Sequence, residues 1–245
     1  MHGNNMAQVP LIISSPCSCS YLPDLDSQFI FVSPRLELST YIYSQLIEQG
    51  FRRSGNDLYR PQCKTCQACI SSRILATHFE PNRSQARCLA KNRSINAIIT
   101  PAEFQDEHYD LYLRYQKSRH TDSNMAQSSP EEYISFLSSD WCNTLFVEFR
   151  QQQQLLAVAI VDVLEYGVSA VYTFFDPEFS NLSLGTYAVL WQIEQVKKMG
   201  LKYVYLGYWI EKCPKMAYKI NYQPLEGYVE NAWRSLNLAN RNSSK

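Results

Sequence analysis

Three cysteines at intervals of three, Cys63, Cys66 and Cys69, lie between two clusters of arginine. Thiolates at such spacing are soft metal ligands, and a structural zinc commonly takes four, in two close pairs. Here the fourth ligand has to arrive from a distance, from Cys19 or Cys17. The same residues also suit a packed interior, because free cysteine is among the most buried side chains. Cys88, Cys142 and Cys213 are read as structural. The arginines offer different chemistry, since a guanidinium is a planar fork that grips a carboxylate or phosphate through two bonds. Arg52, Arg53, Arg60, Arg73 and Arg83 fall in expected turns or element ends, where side chains converge on a ligand. Arg83, Arg87, Lys91 and Arg93 run along an expected helix. Between Phe51 and Arg93, nine Lys/Arg face two acids, a net of +7 in a chain whose formal charge is zero. Such an island points to a polyanionic partner, or to a solvated face balanced by acids elsewhere.

Several familiar chemistries have no counterpart. There is no Walker lysine motif, Rossmann glycine fingerprint or HExxH, and no nucleophile pair with a family signature. The loop over 179–186 holds a single glycine, which argues against a pyrophosphate cradle for coenzyme A. His78, His108 and His120 are isolated, and His120, after Arg119, is the one to watch. Tyr172, Phe174 and Phe175 end a strand that leads into Asp176, and Tyr208 follows a later strand. At strand spacing such aromatics more often build a core than a ligand platform.

These residues need elements to hold them. With 45% apolar and 13% aromatic residues among 245, the chain can bury a sizeable core. No run approaches a membrane span and no signal-like N-terminus is present, so a soluble cytoplasmic chain with reduced thiols is expected. Residues 1–16 read as a poorly ordered tail. A strand over 29–32 precedes a helix capped by Ser39 and closed by Gly50, then a hairpin over 51–59, a strand over 68–75 and the basic helix. Thr100 to Glu103 forms a capping box expected to open a helix, and Ser129 to Glu132 repeats the device. Strands over 145–150, 155–164 and 168–175, a helix over 184–199 and a strand over 202–206 follow. A block from Glu103 to Glu148 carries a net of −6, and the end from Lys197 a net of +6. The change in character near residue 95 divides the chain into 1–95 and 96–245. The later order of strands, helix and strand resembles the core of the acetyltransferase-like fold, so the expected fold is α+β: an N-terminal α/β lobe with the cysteine cluster, then a C-terminal acetyltransferase-like (GNAT-like) domain.

The segments FRRSG, YRPQCKTCQAC, PNRSQ, YTFF, SLGTYAVL, YLGYWI and CPKMAYK closely resemble the arginyl-tRNA–protein transferase family, in its bacterial branch of aspartate/glutamate leucyltransferases. The resemblance runs from about Cys19 to Trp233. It implies transfer of leucine from leucyl-tRNA to the N-terminal amine of proteins beginning with Asp or Glu, creating a degron that an N-end rule protease adaptor reads. It places Tyr172 and Tyr208 near the reacting groups, with Asp176 and His120 as further catalytic candidates. Arg52 and Arg53, then Arg60 and Arg83, are candidates for the acceptor's carboxylate, and Phe174, Phe175 and Leu184 for the donor's apolar pocket. The basic helix would track tRNA. Aminoacyl-tRNA is then the co-substrate and no organic cofactor is implied. Eukaryotic relatives hold zinc or an iron–sulfur cluster on differently arranged cysteines, which leaves such a group at Cys19, Cys63, Cys66 and Cys69 as an option. Arginyl transfer, a tRNA-independent N-acyltransferase and a non-catalytic zinc-ribbon-like RNA-binding module are the alternatives.

Overall fold

A computed structural model describes residues 9–119 and 127–237. In chain order the strands and helices are β1 (Leu11–Ile13), β2 (Cys17–Ser18), β3 (Asp26–Ser27), β4 (Phe29–Val32), α1 (Thr40–Ile47), β5 (Arg52–Ser54), β6 (Asp57–Pro61), β7 (Ile70–Leu75) and α2 (Arg83–Lys91). Then follow β8 (Asn96–Pro101), α3 (Asp106–Arg119), α4 (Pro130–Leu137), β9 (Thr144–Gln151), β10 (Gln154–Val163), β11 (Gly167–Phe175), α5 (Leu184–Lys198), β12 (Tyr203–Trp209), α6 (Pro214–Ala217), β13 (Leu225–Val229) and β14 (Ala232–Ser235).

The principal sheet has eight strands in the order β14-β13-β7-β12-β11-β10-β9-β8, and a second has four in the order β1-β4-β6-β5. The chain is therefore a mixed α/β protein built on a large mixed sheet, in which only the pairing of β11 with β12 is parallel. Strand β10 is buried almost from end to end, as expected of a central strand covered on both faces. One face packs against α5, whose Leu184, Ala188, Ile193 and Val196 are buried. The other is covered by α3 and α4, which bury Leu111, Tyr112, Tyr133 and Leu137 against Phe146, Val158 and Phe174. Further along that face α1 and the smaller sheet pack on Leu164 and Tyr205. Strand β7, from the first part of the chain, pairs with both β12 and β13, so the segments before and after residue 95 share one sheet.

Local signals decide several of these elements. Ser39 caps α1 by accepting from the Ile42 amide, and Ser129 and Glu132 make the reciprocal capping box of α4. The corresponding box at Thr100 does not form. Thr100 and Pro101 close β8, paired with Phe146 and Leu145, and α3 begins at Asp106. Here a ladder partner some 45 positions away outweighs a helix-start signal, and β-branched Thr100 fits the pleat. The expected tail is also corrected in part: Leu11–Ile13 pairs with Ile30–Val32 as β1, while residues 1–8 lie outside those described. His108 is not isolated. Its Nε2 lies 2.7 Å from Glu148 Oε1, and Arg150 joins that carboxylate to Glu107. Among the described residues no helix is long and apolar enough to cross a membrane.

Candidate functional site

Strands β11 and β12 run side by side for only three residue pairs, Gly167–Ser169 against Tyr203–Tyr205. Beyond them both strands continue without pairing to each other. Each carries an irregularity where they part: β11 against β10 between Tyr172 and Ala170, and β12 against β7 between Tyr205 and Gly207. Bulges of this kind turn a strand away from its neighbour, and they recur beside active sites. The opened ladder leaves backbone carbonyls that still need donors.

Two basic side chains supply them. Arg52, on β5, enters the opening and places Nη1 3.4 Å from the Leu206 carbonyl and Nη2 3.4 Å from those of Ala170 and Val171. These bonds are long, and no carboxylate pairs with Arg52 among the described residues. Its guanidinium also lies 5.9 Å from the centre of the Tyr208 ring. Gly207 makes the entry possible. It has φ +73°, and a Cβ there would fall 1.2 Å from Arg52 Nη1. Lys219, which follows α6, donates from its buried Nζ to the Tyr208 carbonyl. Burial first, and then nearby Arg52, push its amine well below the ordinary lysine value.

Arg53 has a different fate. Its Nε and Nη2 grip both oxygens of Asp162 at 2.8 and 2.7 Å, and its remaining donors reach the carbonyls of Gly55, Leu137 and Ser138. All five N–H groups are thus engaged, and the pair is fully buried. Arg53 fastens the β5–β6 hairpin to β10 and α4, and it has no donor left for a substrate. Arg73 is likewise committed, to Glu48 and Glu226, with its guanidinium stacked 3.6 Å from the Tyr203 ring centre. Arg60 donates to the Gln49 carbonyl and lies over the Phe51 ring.

Between the two sheets lies a cavity of about 270 Å³, lined by Ser20, Tyr21, Phe29, Phe31, Ser54, Asp57, Tyr59 and Tyr208. Phe29, Phe31 and Tyr59 touch one another at ring-centre distances of 5.7 to 6.3 Å, and Tyr59 lies 6.2 Å from Tyr208. Tyr208 is buried and its hydroxyl donates to the Tyr59 carbonyl, whereas Asp57 is exposed. The buried ring therefore forms the floor and the carboxylate stands at the mouth. Burial raises the Tyr208 and Tyr172 phenols, so both stay protonated.

The remaining candidates disperse. Tyr172 accepts from Gln116 Nε2 at 3.0 Å and packs among Tyr112, Tyr115 and Phe136. Asp176 is buried, accepting from Arg114 at 2.8 Å and from the Glu178 amide at 3.1 Å. Phe174 and Leu184 lie fully inside two different cores, on opposite faces of the sheet, so they do not line one pocket. Phe175 packs on Tyr115, with Arg119 above it. His120 lies outside the described residues. Lys219, Asp57 and the aromatic trio of β4 and β6 were not singled out from sequence. The alternation of Phe29 and Phe31, which puts both on one face of β4, was the available signal.

All eight cysteines are free thiols, and among the described residues no group of three or more His, Cys, Asp or Glu is arranged to hold a metal ion. Cys69 is pushed up to about 12 by burial and then by neighbouring Cys63, Cys19 and Cys66. As placed, these residues do not fit a metal centre.

On α2, Asn82 and Gln85 form a capping box, and Arg83, Arg87, Lys91 and the following Arg93 are exposed. Lys91 also donates to the Asn181 carbonyl at 2.7 Å. Arg83 stands at the helix N-terminus, where the dipole disfavours a cation, so helix stability does not explain it. If this stripe meets phosphates, Arg83→Glu with Arg87→Glu should flatten the salt dependence of tRNA binding by about one unit of log–log slope per lost contact. Stability should stay within about 0.5 kcal/mol. A filter-binding series in salt measures this, and an unchanged slope would make the stripe a solvated face.

Residues 17–87 match the family model described as "Arginine-tRNA-protein transferase, N terminus", and residues 107–229 match its "C terminus" counterpart. A protein of Saccharophagus degradans named aspartate/glutamate leucyltransferase is 47% identical over 94% of this chain and 98% of its own. Proteins of that name from Pseudomonas aeruginosa and Nitrosococcus oceani are 45% and 47% identical, over 94% and 91% of this chain and 98% and 94% of theirs. With matches of that extent at both ends, the chain belongs to the arginine-tRNA–protein transferase family.

Proposed function

We infer that the protein is an aminoacyl-tRNA–protein transferase that moves leucine from leucyl-tRNA to the N-terminal amine of proteins beginning with Asp or Glu. The observation that carries the reading is the set of near full-length relatives bearing that activity in their name. The geometry agrees with it: an acidic acceptor needs a guanidinium with free donors, and Arg52 is the arginine of the opened ladder without a carboxylate partner among the described residues. Arg53 cannot share the task. An aminoacyl ester is already activated, and an α-amine has an unperturbed pKa of about 7.7–8.0, so an appreciable fraction is nucleophilic at neutral pH. No covalent enzyme intermediate is required. The protein has to hold amine and ester together, accept a proton and steady the oxyanion. The parting of β11 and β12 is the feature in common with an acetyltransferase-like core, and on this reading the ester lies there. The product would carry an N-terminal leucine for an N-end rule adaptor.

The test is transfer of labelled leucine, in parallel with labelled arginine, from charged tRNA to peptides differing only in their first residue. Leucine should pass to Asp- and Glu-starting peptides and poorly to Asn- and Ala-starting ones. Equal acceptance of Ala would sink the acidic-acceptor reading, and efficient arginine transfer would sink the leucyl assignment.

A further inference from the structure

We propose that the cavity between the two sheets is the pocket for the donor's aminoacyl group: Phe29, Phe31, Tyr59 and Tyr208 enclose its apolar side chain, and Asp57 meets its α-ammonium. This deepens the leucyl-transfer reading and rests on it. Two properties of the cavity identify the occupant. Its walls are the half-buried rings of Phe29, Phe31 and Tyr59, presented by β4 and β6. Its one charged lining residue is Asp57, at the mouth. Neither an ion pair nor a side-chain hydrogen bond ties that carboxylate down among the described residues. An apolar floor with a single carboxylate at the rim matches an amino acid bearing a hydrocarbon side chain and a free ammonium. Such a ligand leaves neither a buried charge nor an unpaired polar group. An arginyl side chain would instead drive its guanidinium onto the Tyr208 ring, away from the acid.

Position supports the same occupant. Tyr208 belongs to β12 just past the point where the ladder opens, and it lines the cavity while its ring centre lies 5.9 Å from the Arg52 guanidinium. A leucyl group seated against Tyr208 therefore lies beside the guanidinium assigned to the acceptor. The two substrates of one bond-forming step are brought within reach of each other.

The experiment uses the full chain and three donors: leucyl-tRNA, the same tRNA carrying alanine, and N-acetylleucyl-tRNA. The acceptor is one Asp-starting peptide. Phe31→Trp narrows the cavity at a half-buried ring. It should slow leucine transfer by about tenfold or more, the scale on which apolar pockets sense a few carbons. Alanine transfer and the KM for the peptide should change little. Asp57→Asn should slow leucyl transfer yet leave N-acetylleucyl transfer unchanged, because the blocked donor has no ammonium to lose. As an exposed and nearly isosteric change, Asp57→Asn decides the matter if the tryptophan variant proves unfolded by circular dichroism. A rise in the KM of the peptide with unaltered donor selectivity would overturn the proposal and give the cavity to the acceptor. Equal loss for leucyl and N-acetylleucyl donors in Asp57→Asn would overturn the ammonium contact. Absence of leucine transfer by the unmodified protein would instead refute the leucyl reading itself.

Discussion

Replacing Arg53 by methionine should lower the stability of the fold by about 3–5 kcal/mol, the usual cost of breaking a buried ion pair from one side. The guanidinium meets Asp162 through two bonds with neither side chain exposed, and it also satisfies the carbonyls that end α4. Removing it leaves a buried carboxylate and several unpaired carbonyls. Thr144, which donates to the same carboxylate at 2.7 Å, would be its main remaining partner. The loss should also loosen the β5–β6 hairpin. Gly55 there lies so close to α4 that an added Cβ would fall 2.5 Å from the Ser135 carbonyl. Urea unfolding of Arg53→Met, Asp162→Asn and the double variant measures the pair, and the two single losses should be far from additive. A change below about 1 kcal/mol would mean that the pair is solvated, as a surface bridge would be.

The neighbouring arginines show where sequence reasoning ran out. Arg52 and Arg53 looked alike, two forks before one turn. On a strand, adjacent side chains leave on opposite sides, so they were bound to meet different surroundings. Which one found an acid depended on Asp162, 109 positions away, and no local pattern announces that. Strong local signals fared better: the Ser129 capping box, the apolar spacing of α5 and the meander of β9 to β11 could all be read from short windows. The box at Thr100 failed because a strand partner competed for the same residues. Phe174 and Leu184 were apolar in the right places for a pocket, yet burial on opposite faces of the sheet separates them. The cavity itself needed the pairing of β4 with β6 and the docking of that sheet on Tyr208, both long-range facts.

Arg52→Met should lower kcat/KM for Asp- and Glu-starting acceptors by about 2–5 kcal/mol, roughly thirty- to several-thousandfold, as expected when one member of a desolvated charge pair is truncated. Transfer to an Asn-starting peptide, slow at the outset, should change far less, so the preference for an acidic residue collapses. Preference, rather than rate alone, separates recognition of the carboxylate from a general disturbance of the opened ladder. Gly207 provides an independent route to the same end. With a Cβ arriving 1.2 Å from Nη1, Gly207→Ala forces the guanidinium out of the opening although the residue itself presents no side chain to substrate. It should reproduce the lost preference and add a backbone cost of about 1–2 kcal/mol for a non-glycine at positive φ. Once Arg52 is methionine, the alanine has no guanidinium to expel, so the double variant should discriminate no worse than Arg52→Met alone. If Arg52→Met still prefers Asp to Asn by the full original margin, the acceptor's carboxylate is held elsewhere, and Arg52 serves only to satisfy the carbonyls of the parted strands.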